Sequence, residues 1–154
     1  MALTEPKKGD PIEIVTAFIE RINAADVAGL YELMTEDHIF QDALGERFIG
    51  RDKMRHGWTS YFSMVGNYKV FVREHFLRED CVAMFGTASG SYPAAAASPA
   101  APPGASSVPP QFWEVPAAWH VVTRGGQVAE WRVYADNLPL RKLMKVNVDR
   151  KSVV

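Results

Sequence analysis

Apolar residues in the first 65 positions recur with the spacing of helices. Val15, Phe18, Ile19 and Ile22 fall at i, i+3, i+4 and i+7, which predicts a helix with one buried face. Asp10 is placed to cap it, Pro11 suits its first position, and Glu13 completes an Asp-x-x-Glu capping box. Asn23-Ala24-Ala25-Asp26 interrupts the pattern. Asp26 then caps a second, short helix carrying Val27, Leu30, Tyr31 and Met34. Thr35 to Asp42 alternates as a strand, with His38, Phe40 and Asp42 on one face and Ile39 and Gln41 on the other. Gly45 and Gly50 mark the loop behind it. A third helix from about Arg51 carries Met54, Trp58, Tyr61, Phe62 and Val65, with Gly57 inside it costing up to ~1 kcal/mol relative to Ala.

After Asn67 the sequence reads as sheet. Tyr68–Leu77, Cys81–Tyr92, Gln111–Arg124 and Gln127–Asn137 read as four strands, with a turn at Arg78-Glu79-Asp80 and a tight hairpin at Gly125-Gly126. Leu140, Leu143 and Met144 suggest a final helical turn or two before a polar tail at 146–154. Helices first and a mostly antiparallel sheet second is the order of an α+β domain, three helices covering one sheet face and leaving a concavity.

Residues 93–110 fit neither period: they hold six of the ten prolines, seven alanines and three serines. Such a segment buries little and cannot pair as a central strand, so it is expected to be a long hairpin loop. It would be either a passive spacer or a lid anchored by Phe112 and Trp113. The chain is therefore expected to be a single domain spanning 1–154, with its core at about 11–145.

Composition narrows the function. Seventeen basic against eighteen acidic residues give a net charge of -1, and no basic cluster suggests nucleic acid. One cysteine, Cys81, excludes an intramolecular disulfide framework. His38, His56, His75 and His120 lack metal-ligand spacing, and no glycine loop opens a helix for phosphate. No stretch approaches 18 uninterrupted apolar residues, and the N-terminus is polar. The expectation is a cytoplasmic protein without metal or cofactor.

Three ionisable residues stand out. Asp42 shares a face with Phe40, and a carboxylate in an apolar concavity becomes a stronger base through desolvation. The alternative is an Asp that caps its own loop before Ala43-Leu44-Gly45. His120 is flanked in alternation by Ala118 and Val122, so it faces either a cavity or a satisfied core site. Asp136 shares a face with Tyr134 and Arg132, and the residues alone read it as the ion-pair partner of Arg132 on a solvated strand face. Counting out from Gly125-Gly126 sets residues 120 and 131 opposite each other.

The order helix, helix, Phe40-Gln41-Asp42, Phe48-Ile49-Gly50-Arg51-Asp52, helix and four strands resembles the nuclear-transport-factor-2-like cone fold. Within it the chain looks most like the SnoaL-like proteins, which include polyketide cyclases and are relatives of ketosteroid isomerase and limonene-epoxide hydrolase. The most specific pieces are Ile49-Gly50-Arg51-Asp52 and Val115-Pro116-Ala117-Ala118-Trp119-His120 through Trp131-Arg132-Val133-Tyr134-Ala135-Asp136. The resemblance implies a curved sheet wrapped around the N-terminal helices and enclosing a pocket. It puts Asp42 where the isomerase carries its base, His120 where the cyclases carry a histidine, and Asp136 where they carry an aspartate base. Phe18 stands where the isomerase has its tyrosine donor, which argues against steroid isomerisation. Thr87, Ala88 and Ser89 offer no charge where the epoxide hydrolase needs Arg and Asp.

The implied function is cofactor-free acid–base chemistry next to a carbonyl, leading to cyclisation, isomerisation or elimination. Asp42, His120 and Asp136 would be catalytic, and Phe18, Phe40, Trp58, Arg132 and Tyr134 would contact an apolar small molecule. The alternative is a binding domain that holds such a ligand without acting on it. Trp119, Trp131 and Val133, alternating away from His120, would form the sheet face of a homodimer.

Overall fold

A computed structural model of the chain describes residues 9–94 and 109–147. Helix α1 (Pro11–Asn23) is capped by the Asp10 side chain, which accepts from the Ile12 N–H. Helix α2 (Val27–Leu33) is capped in the same way by Asp26, which accepts from the Gly29 N–H. Met34 opens strand β1 (Met34–Gln41) rather than closing α2. A short strand β2 (Arg47–Ile49), absent from the sequence reading, folds back on β1 and sets Phe48 opposite Phe40. Gly50, at φ 105°, turns the chain into α3 (Arg51–Met64), a backbone angle that glycine adopts without steric cost.

Strands β3 (Gly66–Arg78), β4 (Cys81–Tyr92), β5 (Gln111–Arg124) and β6 (Gln127–Ala135) follow. Helix α4 (Leu138–Asn147) is ten residues, longer than the turn or two expected. The sheet runs β2-β1-β6-β5-β4-β3 and is antiparallel except where β1 lies parallel to β6. The helices cover its inner face, so the expected α+β architecture is what the chain adopts.

Strand β5 alternates cleanly. Trp113, Val115, Ala117, Trp119, Val121 and Thr123 are buried, while residues between them are exposed or half-buried. Trp119 and Trp131 are each 1% exposed, and Trp131 packs 4.9 Å from the Phe18 ring. This corrects the expected dimer face: these two indoles fill the core of one chain and are not a surface. The larger apolar set goes inward because burying an aromatic contributes roughly 1.5–3 kcal/mol. His120 is left on the outer face.

The hairpin pairing also differs from a count out of the turn. Thr123 lies opposite Val128, but Val122 lies opposite Glu130, so Ala129 is an extra residue in β6. Val128 and Ala129 are buried in succession, as a bulge allows. His120 consequently faces Arg132, and Val121 faces Trp131.

Most of the Pro/Ala insert (95–108) and the end of the tail (148–154) lie outside the described residues, and with them the spacer and lid expectations. At the insert's edge Phe112 is 69% exposed while Trp113 is 4% exposed, so the two do not share a face. No helix among the described residues is long and apolar enough to cross a membrane.

Candidate functional site

Between α3 and the inner face of the sheet lies a cavity of about 330 Å³. That is at the lower end of the ~300–1,000 Å³ range of small-molecule sites. Residues 53, 57 and 61 of α3 follow one another a turn apart along it, with Met54 and Trp58 behind them as a buried wall. Gly57, the weak point of the helix by propensity, faces the cavity, where any side chain would take up space.

Six aromatic rings form an unbroken arc around this space. Phe48 lies 6.2 Å from Phe40, Phe40 5.9 Å from Trp58, and Trp58 6.4 Å from Tyr61. Tyr61 stands edge-on to Tyr68 at 5.0 Å, and Tyr68 lies 6.1 Å from Trp113. All six line the cavity. Tilted and edge-to-face contacts of this kind suit the ring quadrupoles and hold each ring in place.

Few polar groups break this wall. Asp42, just past the end of β1, lines the cavity and is half-buried. Its Oδ1 accepts from the Leu44 and Glu46 N–H groups, each at 2.9 Å. The loop-capping and the pocket-facing readings of Asp42 therefore hold together. Lys53 lies with its Nζ 5.9 Å above the Phe48 ring, and Asn137, beyond β6, also lines the space. Burial pushes the Tyr61 and Tyr68 phenols well above their usual range, with their mutual proximity adding to the shift at Tyr61. Both remain neutral hydroxyls. The indole N–H groups of Trp58 and Trp113 are buried without a hydrogen-bond partner among the described residues.

The cavity thus brings together Asp42, Phe40 and Trp58 of the expected residues, and not the others. Phe18 is fully buried beneath Trp131, stacked 6.1 Å from His38, and forms core rather than wall. His120 lies on the outer sheet face, its Nε2 2.9 Å from the Cys81 Sγ. Arg132 and Tyr134 share that outer face; Arg132 pairs with Glu130 at 3.3 Å, not with Asp136. Asp136 is exposed and accepts from the N–H of Leu138, the first residue of α4. Three signals in the sequence pointed this way. Glu114 shares the parity of His120 on β5, a charge that belongs in water. Tyr61 sits on the α3 stripe with Met54 and Trp58. Trp113 shares the parity of Trp119.

Residues 15–131 match the family model described as the SnoaL-like domain. The chain belongs to the SnoaL-like domain family. Solved structures agree at the level of fold. A protein of ketosteroid isomerase-like fold from Catenulispora acidiphila, in complex with trimethylamine, is 22% identical with a TM-score of 0.63. The match covers 79% of this chain and 84% of that one. A candidate SnoaL-like polyketide cyclase from Shewanella denitrificans is 13% identical with a TM-score of 0.71, covering 88% and 97%. An LEH-like epoxide hydrolase from M. tuberculosis is 16% identical with a TM-score of 0.68, covering 92% and 98%. A comparison with curated protein sequences gives no match. The SnoaL-like domain thus has the cone-shaped fold that its sequence resembles.

Proposed function

We propose that this SnoaL-like domain is a cofactor-free acid–base enzyme acting next to the carbonyl of an apolar, ring-containing small molecule. The observation that carries the reading is Asp42, a carboxylate on the wall of an otherwise aromatic cavity. Its Oδ1 is held by two backbone N–H groups, which fixes the side chain and leaves Oδ2 to meet a ligand. In the reaction Oδ2 takes a proton from the carbon beside the carbonyl, the C–H pair becomes the enolate, and the carboxyl later returns the proton. Removing water from such a site strengthens this transfer, and a positioned base typically contributes ~10²–10⁴-fold. His120 and Asp136 have no part in this scheme, because both lie away from the cavity.

One observation favours the rival, a binding domain without catalysis: the Asp42 carboxylate already serves its own loop. Deuterium exchange separates the two readings. 2-Tetralone is an apolar bicyclic ketone whose C1 protons sit between ring and carbonyl. The protein should speed exchange of these protons in D₂O over buffer alone, and Asp42→Asn should remove the acceleration while the ketone still binds. Binding by the wild type with no acceleration would leave the binding domain as the reading.

A further inference from the structure

We infer that Lys53 makes the cavity selective for an acid. The carboxylate of a ring-containing molecule meets the Lys53 ammonium at the cavity's edge, and the apolar body of the molecule lies along the aromatic arc. This rests on the reading that the cavity holds a small molecule, and it adds the charge that the molecule carries. Lys53 and Gly57 line the cavity and are both exposed, so the space opens to solvent along this side of α3. The Lys53 Nζ lies 5.9 Å from the centroid of the Phe48 ring, itself part of the wall. Tyr61 stands just over two turns further along the same helix, about 12 Å away along its axis. Among the described residues that line the cavity, Lys53 is the one cation and Asp42 the one anion.

The other cations nearby are engaged. Arg51 and Arg55 lie over the Tyr31 ring at 4.5 and 4.3 Å, and Arg55 reaches Asp52 at 3.8 Å. Arg47 donates to the Gln41 side chain at 3.1 Å. Asp52, next to Lys53 in sequence, accepts from the Tyr31 hydroxyl at 2.8 Å and is not part of the cavity wall. Asp42 has its Oδ1 taken by the Leu44 and Glu46 N–H groups. Among the described residues, Lys53 makes no ion pair with Asp42 or with any other carboxylate. Helix chemistry does not account for the residue either, since a cation in the first turn of α3 runs against the helix dipole. Beside a wall of low polarity, an ammonium attracts an anion more strongly than it does in bulk water. A ligand carboxylate is the complementary group. Asp42 repels that carboxylate, which orients the ligand with its acid at Lys53 and its carbonyl towards Asp42.

The test compares 2-naphthoate with 2-naphthamide, a neutral molecule of nearly the same shape, by titration calorimetry at neutral pH. The proteins are the wild type, Lys53→Met and Lys53→Arg, each checked for unchanged thermal melting. The wild type should bind the acid about fivefold more tightly than the amide. Lys53→Met should remove that preference by weakening the acid alone, and Lys53→Arg should keep it. Raising the salt from about 0.01 M to about 1 M should shrink the wild-type preference and leave the methionine variant unchanged. Equal affinity for acid and amide in the wild type, or a preference for the acid that survives in Lys53→Met, would overturn the assignment. Binding of 2-tetralone without binding of 2-naphthoate would reject acid selectivity and leave the cavity reading standing. Failure of 2-tetralone, the acid and the amide to bind the wild type would overturn the cavity reading and this inference with it. Should Lys53→Met melt early, the wild type decides: a preference for the acid that is indifferent to salt rejects the ion pair.

Discussion

Trp119 of β5 and Trp131 of β6 meet inside the curl of the sheet, their ring centroids 6.4 Å apart and each residue 1% exposed. Trp131 also touches Phe18, so the pair ties the sheet to α1. Truncating a buried Trp to Ala typically costs about 3–5 kcal/mol. Trp119→Ala should therefore lower the melting temperature by roughly 10 °C for a domain of this size. Trp131→Glu buries an unpaired charge as well, and it should abolish cooperative melting altogether. A folded, wild-type-like Trp131→Glu protein would mean that the indole is at a surface after all.

The elements were legible in the sequence because local chemistry decides them. Asp10 and Asp26 cap their helices, and the bounds of β4 and β5 coincide with the turn residues beside them. The facing of β5 was not legible from its middle, where Ala118 and Val122 make the outer row look as apolar as the inner one. Only the ends, Glu114 outside and Trp113 inside, break the tie. The Ala129 bulge has no signature in the sequence, since an extra small residue in a strand looks like any other. Asp42 and Phe40 were recognisable from alternation alone. Tyr61 and Tyr68 were not, because a ring beside a cavity and a ring in a core have the same spacing.

Gly57 sits within α3 and faces the cavity, and a Cβ there would meet only the flexible end of Met54, at 3.4 Å. Gly57→Ala should stabilise the helix by up to ~1 kcal/mol. Thermal denaturation should show a rise of about 2–4 °C. Gly57→Leu should instead weaken binding of 2-tetralone by occupying its space. Equal affinity in the wild type and in the leucine variant would argue that ligands bind elsewhere.

His38 is fully buried under Phe18, its Nδ1 donating to the Val128 carbonyl at 2.8 Å and its Nε2 buried without a partner among the described residues. Burial lowers its pKa below the ordinary value of 6.5, although the Val128 carbonyl, Asp37 and Glu130 pull it upward. In the unfolded chain the same imidazole takes up a proton near pH 6.5. The unfolded state thus binds more protons just below that pH, and stability falls as pH drops. Melting temperature should be level between about pH 8 and 7 and decline from about 6.5 downward. His38→Asn keeps a donor for the Val128 carbonyl and should flatten that decline. An identical decline in both proteins would assign the proton uptake to another group.

Phe71, Phe76, Phe85, Phe112 and Tyr134 all project from the outer sheet face, exposed by 45–69%. Phe76 and Phe85 stand edge-on there at 6.1 Å. We propose that a second copy of the chain covers this face, because large apolar side chains left exposed together on one sheet face mark an interaction site. Phe85→Glu places a charge at its centre without touching the core. Sedimentation should show a dimer for the wild type at tens of micromolar and a monomer for the variant. A wild-type monomer, or a dimer indifferent to the substitution, would reject this face.

Asp42 carries two roles that substitution can separate. Asparagine keeps an Oδ1 able to accept from Leu44 and Glu46, whereas alanine removes the acceptor and leaves both N–H groups to find water. Each bond contributes about 0.5–1.5 kcal/mol net. Asp42→Ala should accordingly lower the melting temperature by several degrees, about 2–4 °C per kcal/mol, while Asp42→Asn stays close to the wild type. Both variants should lose the deuterium exchange, since neither has a carboxylate to take the proton. Exchange retained by Asp42→Asn would show that another group removes the proton. Exchange lost by Asp42→Ala but kept by Asp42→Asn would reduce Asp42 to holding the loop, and the base would have to be sought elsewhere on the cavity wall.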